Sequence, residues 1–314
     1  MECDISGPLF FKSCATQEEI FPKVVVGDAN VAVGHIALGA NTTGYSNVGV
    51  GHNSLQACTT GHNNTAVGKD ALYTATTGNG RNVGVGVNSG RLVSTGYQNT
   101  MLGAYSGDSI TTGYMNVAVG TDSLAAVTTG YENVAIGHDS LKVATANQNV
   151  AVGAYAGTAT SSGTRNTFIG ASSGRANSTA SYNTAVGYEA GKAVTTGTLN
   201  TLMGGLAGDA LTVGNTNVAI GYLALSAETE GDRNVAIGHS ALGVQNNSDT
   251  DVYNVAIGYS AGAAVTTGTN NTIIGGLAGD AITTATNNVA IGYAALGNEV
   301  AGPDNVAIGY FAMG

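Results

Sequence analysis

The chain has no tryptophan, only 3 prolines and 3 cysteines, and just 10 lysines and arginines among 314 residues. Each shortage removes a class of protein. Cys3, Cys14 and Cys58 are too few for the bridge framework of a small secreted domain and fit synthesis in a reducing cytoplasm. Ten basic residues against 20 acidic ones give a formal charge of −10, which supplies no patch for a phosphate backbone and argues against nucleic acid as a partner. Residues 1–20 lack a basic start followed by an apolar core, and no apolar run approaches the length of a membrane span. The expectation is a chain soluble as made, without membrane insertion.

Chemistry is equally sparse. Five histidines are spread along the chain with no converging acid, base or nucleophile, so no catalytic residue, cofactor or metal ligand is assigned, and the chain reads as non-enzymatic. Glycine-rich stretches such as Gly204-Gly205-Leu206-Ala207-Gly208 lack the lysine of a phosphate loop.

What is abundant is glycine, 48 residues of it, set in a period of 17. The units begin at Asn30, Asn47, Asn64, Asn82, Asn99, Asn116, Asn133, Asn149, Asn166, Asn183, Asn200, Asn217, Asn234, Asn254, Asn271, Asn288 and Asn305, with one step of 18, one of 16 and one of 20. Each runs Asn, Val or Thr, a small residue, Val, Ile, Leu or Met, then Gly. Ala or Ser follows three residues later, and a Thr-Thr-Gly-like turn such as Thr128 to Gly130 closes the unit.

Val255-Ala256-Ile257 has the alternation of a short strand, and glycine at its end suits a corner with positive φ. A coil this small buries no core alone, but coils stacked at ~4.8 Å hydrogen-bond to their neighbours. The expected fold is therefore all-β, a parallel β-solenoid (β-roll) of 17-residue coils about 75 to 80 Å long, with the asparagines forming a structural ladder. Residues 30–314 form the shaft of seventeen repeats, the last incomplete, and residues 1–29, richer in Phe and Glu, read as an N-terminal cap or junction.

A second pattern lies inside the first. At the eighth position after the asparagine, Leu38, Leu55, Leu72, Leu124, Leu141, Leu225, Leu242 and Leu296 alternate with paired glycines: Gly90 with Gly107, Gly157 with Gly174, Gly191 with Gly208, and Gly262 with Gly279. In the second member of each pair the small mid-strand residue becomes Met101, Phe168, Leu202 or Ile273. This exchange of volume places both columns in one apolar space. With Val255 and Ile257 expected to face into the coil, that space is expected on its outer side. These twelve residues are then the candidate subunit interface of a closed symmetric homo-oligomer, unless the volume merely fills one coil.

His35, His52, His138 and His239, then Tyr188, Tyr222, Tyr259, Tyr293 and Tyr310, share the column after the corner glycine. They are a candidate contact column for a glycan or protein receptor, or simply a cover for the coil edge. His35 and His52 sit one rung apart, but carboxylate and cysteine partners are absent from their column. Asp249 and Asp251, in the loop of the 20-residue unit, are a conceivable calcium pair or part of a tolerated insertion. Threonine rows beginning Thr42, Thr43, Thr59 and Thr60 raise a remote alternative, a monomeric ice- or surface-binding solenoid.

The strings NVAIG at 217–221, 234–238, 254–258, 288–292 and 305–309 resemble the head repeats of trimeric autotransporter adhesins, and the NTAVG and TTG variants resemble repeats of phage and algal-virus tail fibres. The resemblance covers residues 30–314 and implies a left-handed roll with three identical subunits side by side. It implies further a virion-surface or extracellular shaft for attachment to a host cell. The unit here is longer than the adhesin coil. Without a visible secretion signal, stalk or membrane anchor, the viral or phage fibre is preferred to the alternative, the head of a bacterial adhesin.

Overall fold

The computed structural model describes residues 27–76, 80–248, 251–298 and 302–313; the sequence-based cap at residues 1–29 lies almost wholly outside them. Among the described residues, seventeen strands of three residues each, from Val31–Val33 to Val306–Ile308, make a single sheet. Every strand pairs in parallel with the next in sequence, in strict register: Val31 opposite Val48, Val134 opposite Val150, Val289 opposite Val306. The steps of 16, 18 and 20 residues are absorbed outside the strands, so the register survives them. The chain is a parallel β-solenoid.

The corner glycines explain why each strand stops after three residues. Their φ lies between 125° and 141°, a region essentially closed to other residues. The backbones of successive corners also touch: a methyl added at Gly187 would lie 2.3 Å from Gly204 O.

The asparagine ladder satisfies itself. Asn116 donates its backbone N–H and its Nδ2–H to Asn99 Oδ1 (3.1 and 3.0 Å), and its second Nδ2–H to Gly130 O (2.8 Å). Asn133 then donates to Asn116 Oδ1 in the same way. A buried primary amide that leaves neither donor nor acceptor empty stabilises where an unpaired one would cost about 1–3 kcal/mol.

The core corrects the expected direction of the strands. The mid-strand residue faces in: Ala256 is fully buried, while Ile257 is 36% exposed and Val255 half-buried. Beside a leucine of the facing column the interior is too narrow for a β-branched mid-strand residue, and Ile273 is buried there only where Gly262 and Gly279 replace that leucine. A methyl added at Gly49 would lie 3.4 Å from Leu38 Cγ, and one at Gly84 2.9 Å from Leu72 Cγ.

The exchange of volume is present, but inside the coil. Methyls built on Gly157 and Gly174 would meet the Phe168 ring at 2.8 and 2.3 Å, and Met101, Leu202 and Ile273 crowd their own glycine pairs in the same manner. Leu38, Leu55, Leu72, Met101, Leu124, Leu141, Phe168, Leu202, Leu225, Leu242, Ile273 and Leu296 are all at most 3% exposed. They are the core of one coil stack, and the candidate interface drawn from them is withdrawn.

Candidate functional site

With the leucine column turned inward, the apolar surface lies on the sheet itself. The fourth residue of each unit is exposed or half-buried along the rod, and the exposed ones include Val67, Val85, Leu102, Ile136, Ile169, Met203 and Ile257. The second residue of each unit, Val or Thr, runs beside it half-buried. Alternation places both rows on the same outer face. Because the strands are in register, the two rows form one continuous stripe.

The His and Tyr column lies along a coil edge, and its rings stack on one another. His35 and His52 lie 5.2 Å apart at 10°, His239 and Tyr259 5.3 Å at 23°, Tyr293 and Tyr310 5.6 Å at 18°; Tyr222 tilts against His239 at 5.5 Å. His138 meets Tyr155 edge-on, and Tyr188, without a ring neighbour in the column, bonds Glu189, which raises its pKa. Ring faces used this way are closed to a sugar, while Tyr188, Tyr222, Tyr259, Tyr293 and Tyr310 stay 47% to 76% exposed; His239 Nδ1 is shared with Ser240 Oγ at 3.0 Å. Gly205 and Gly276 interrupt the column, and Tyr222 and Tyr293 lean over them, with ring carbons 3.4 and 3.6 Å from where a methyl would sit. A second ladder, Tyr97, Tyr114 and Tyr131, stacks at 5.0 and 4.8 Å.

The charged column has the expected register. Arg91 grips Asp108 with Nε–Oδ1 at 2.9 Å and Nη2–Oδ2 at 3.3 Å, which raises the Arg91 pKa. Lys192 reaches Asp209 at 3.8 Å but is held more closely by Glu189, at 2.6 Å. Such exposed pairs contribute ~0 to 1 kcal/mol each.

Carboxylates do reach one histidine, from the neighbouring column: Asp122, His138 and Asp139 each bring a donor atom within 4.8 Å of the others. Reading the histidine column alone misses them. Lys142 already holds Asp139 at 2.9 Å, so the group is an ion-pair cluster. Of the suggested calcium pair, Asp249 lies outside the described residues and Asp251 pairs with Arg233. The threonine rows spend their hydroxyl protons internally, Thr42 Oγ1 donating to Thr59 O (3.0 Å) and Thr59 Oγ1 to Thr76 O (2.9 Å).

No protein-family model, curated protein or solved structure matches this chain. Among the described residues no helix is long and apolar enough to cross a membrane.

One buried feature escaped the sequence. In the core column eleven residues after each asparagine, where Cys58, Val93, Ile110 and Leu211 stand elsewhere, Glu228 is fully buried. Its Oε1 accepts the backbone N–H groups of Thr229, Glu230, Gly231 and Asn247 (2.8 to 3.2 Å), and its Oε2 accepts Gln245 Nε2 (2.8 Å). Gln245 Oε1 in turn accepts Asn254 Nδ2 at 2.8 Å. The knot ties the 20-residue unit into the asparagine ladder. That column also holds the buried polar residues Asn41, Thr160 and Asn177, and Glu228 is its one charged member among the described residues.

Proposed function

We propose that the chain is a structural, non-enzymatic fibre shaft that assembles with two further copies through the Val/Ile stripe of its sheet and serves attachment to a host cell surface. The observation that carries this reading is the stripe itself. Apolar side chains in register along a rod of about 77 Å form a contiguous patch of the kind that marks an interface. A closed three-fold arrangement buries one such face per subunit without leaving a free copy of it. The NVAIG repeats, which resemble those of trimeric adhesins and of tail fibres, support the same number of chains. A virion-surface or extracellular position follows from that use. The outward edges and hydroxyls of the His and Tyr column are the surface offered to a glycan or protein receptor, in identical copies on each subunit.

Light scattering on a sizing column tests the assembly. The wild-type chain is expected at three times 31.1 kDa, and a variant with Ile136→Lys, Ile169→Lys and Met203→Lys at one, with its β circular dichroism retained. A monomeric wild type, or a folded variant that stays trimeric, would reject the stripe as the interface.

A further inference from the structure

Asp280 breaks the rule of the charged column. Asp108 and Asp209, also nine residues after their asparagines, each have a base one rung earlier, Arg91 at 2.9 Å and Lys192 at 3.8 Å. One rung before Asp280 stands Ala263, and one rung after stands Gly297. Its Oδ1 is buried and has no hydrogen-bond partner among the described residues. A carboxylate oxygen withdrawn from water and left unpaired is destabilising, and a cation brought to the carboxylate relieves that.

The surroundings say which cation. Asp280 lines a cavity of about 200 Å³ together with Leu277, Tyr293, Ala294, Asn298 and Phe311. Tyr293 and Phe311 meet edge-on at 5.6 Å and 69°, forming an aromatic wall that favours a positive head. Leu277 and Ala294 supply an apolar floor for a hydrocarbon stem. An anion is repelled, and a divalent ion would find one carboxylate and one amide where it needs six or more oxygens.

We propose that Asp280, Tyr293 and Phe311 form a binding site for an alkylammonium group, which supplies the base this rung lacks. The group is either a free primary amine or the end of a lysine side chain on another protein. None of the residues lining the site belongs to the sheet stripe.

The test is a titration of the full chain, followed by the methyl resonances of Leu277 and Ala294. n-Butylammonium is expected to shift them saturably with a millimolar dissociation constant, and neutral n-pentanol to do so at least tenfold more weakly. Asp280→Asn removes the carboxylate. Ala263→Lys keeps Asp280 but fills it from within, as Arg91 fills Asp108. Both are expected to weaken n-butylammonium at least tenfold, and the second remains readable if the first disturbs the coil. Equal binding of n-pentanol, or full binding by a folded Ala263→Lys variant, overturns the proposal. Nα-acetyl-lysine methylamide binding as well as n-butylammonium assigns the site to a lysine side chain; binding of n-butylammonium alone assigns it to a free amine.

Discussion

Phe168 occupies the space that Gly174 leaves open: a methyl placed on that glycine would lie 2.3 Å from the phenyl ring. The two residues are halves of one packing decision, repeated with other side chains at Met101, Leu202 and Ile273. In the unit of Ala135, whose mid-strand residue is small, the eighth position holds Leu141, and both are fully buried in the core.

Phe168→Ala alone is therefore expected to lower stability by about 3–5 kcal/mol, the usual cost of emptying an aromatic site. Adding Gly157→Leu and Gly174→Leu reproduces the arrangement of neighbouring units and should restore most of it. Leucine suits those backbones, since Leu141 holds a φ of 45° where Gly157 and Gly174 hold 57° and 55°. Thermal unfolding followed by circular dichroism compares the three chains; a triple variant no better than the single one would refute the exchange.

The Glu228–Gln245–Asn254 chain has a fixed polarity. Asn254 must donate to Gln245, because its Oδ1 accepts from Asn271 and its other Nδ2–H goes to Gly268 O. Gln245 must then donate to Glu228. Glu228→Gln puts an amide donor against that donor and is expected to cost about 1–3 kcal/mol. Glu228→Gln combined with Gln245→Glu re-forms every bond in the chain and should return to within about 1 kcal/mol of wild type. Chemical denaturation of the four-member cycle reads the coupling, and strict additivity would break the assignment.

Burial pushes the Cys58 thiol from 9.0 up to about 11. The folded chain keeps the proton that the unfolded chain gives up first, so this contribution is whole below pH 9 and disappears as the pH rises through about 11. Against Cys58→Ala, which copies Ala75 of the same column, the wild type should lose roughly 2–3 kcal/mol more across that window. In a background with Cys3→Ser and Cys14→Ser, Cys58 should resist iodoacetamide at pH 8 until the chain unfolds. Rapid native labelling would contradict its burial.

The period, the corner glycines, the asparagine ladder and the Arg91–Asp108 register were all legible in the sequence, because each is a column repeated many times over. The inside and the outside of the coil were not. Alternation separates Ala256 from Val255 and Ile257 but does not say which side is the core, and ordinary hydrophobic ranking chooses wrongly. Steric width decides it: with a leucine already crossing the interior, only the smaller side chain fits. That error carried the interface prediction onto the wrong twelve residues, although the conclusion that an apolar stripe faces outward applies to the sheet rows. Glu228 was visible in principle as a charged residue in a mostly apolar column, and Asp280 as an acid with no base one rung earlier. The inter-column grouping of Asp122 and Asp139 with His138 required coordinates.

A chain of near-identical rungs runs a particular risk while folding. Any NVAIG strand is an acceptable neighbour for any other, so a unit could be looped out and the next one docked in its place with backbone and asparagine bonds intact. Such an error becomes costly at Met101, Phe168, Leu202 and Ile273. A rung skipped beside one of them sets a large side chain against leucine where glycine belongs, or leaves a void where a ring belongs. Placed at uneven intervals along the rod, the four work as keys that let a repetitive chain count.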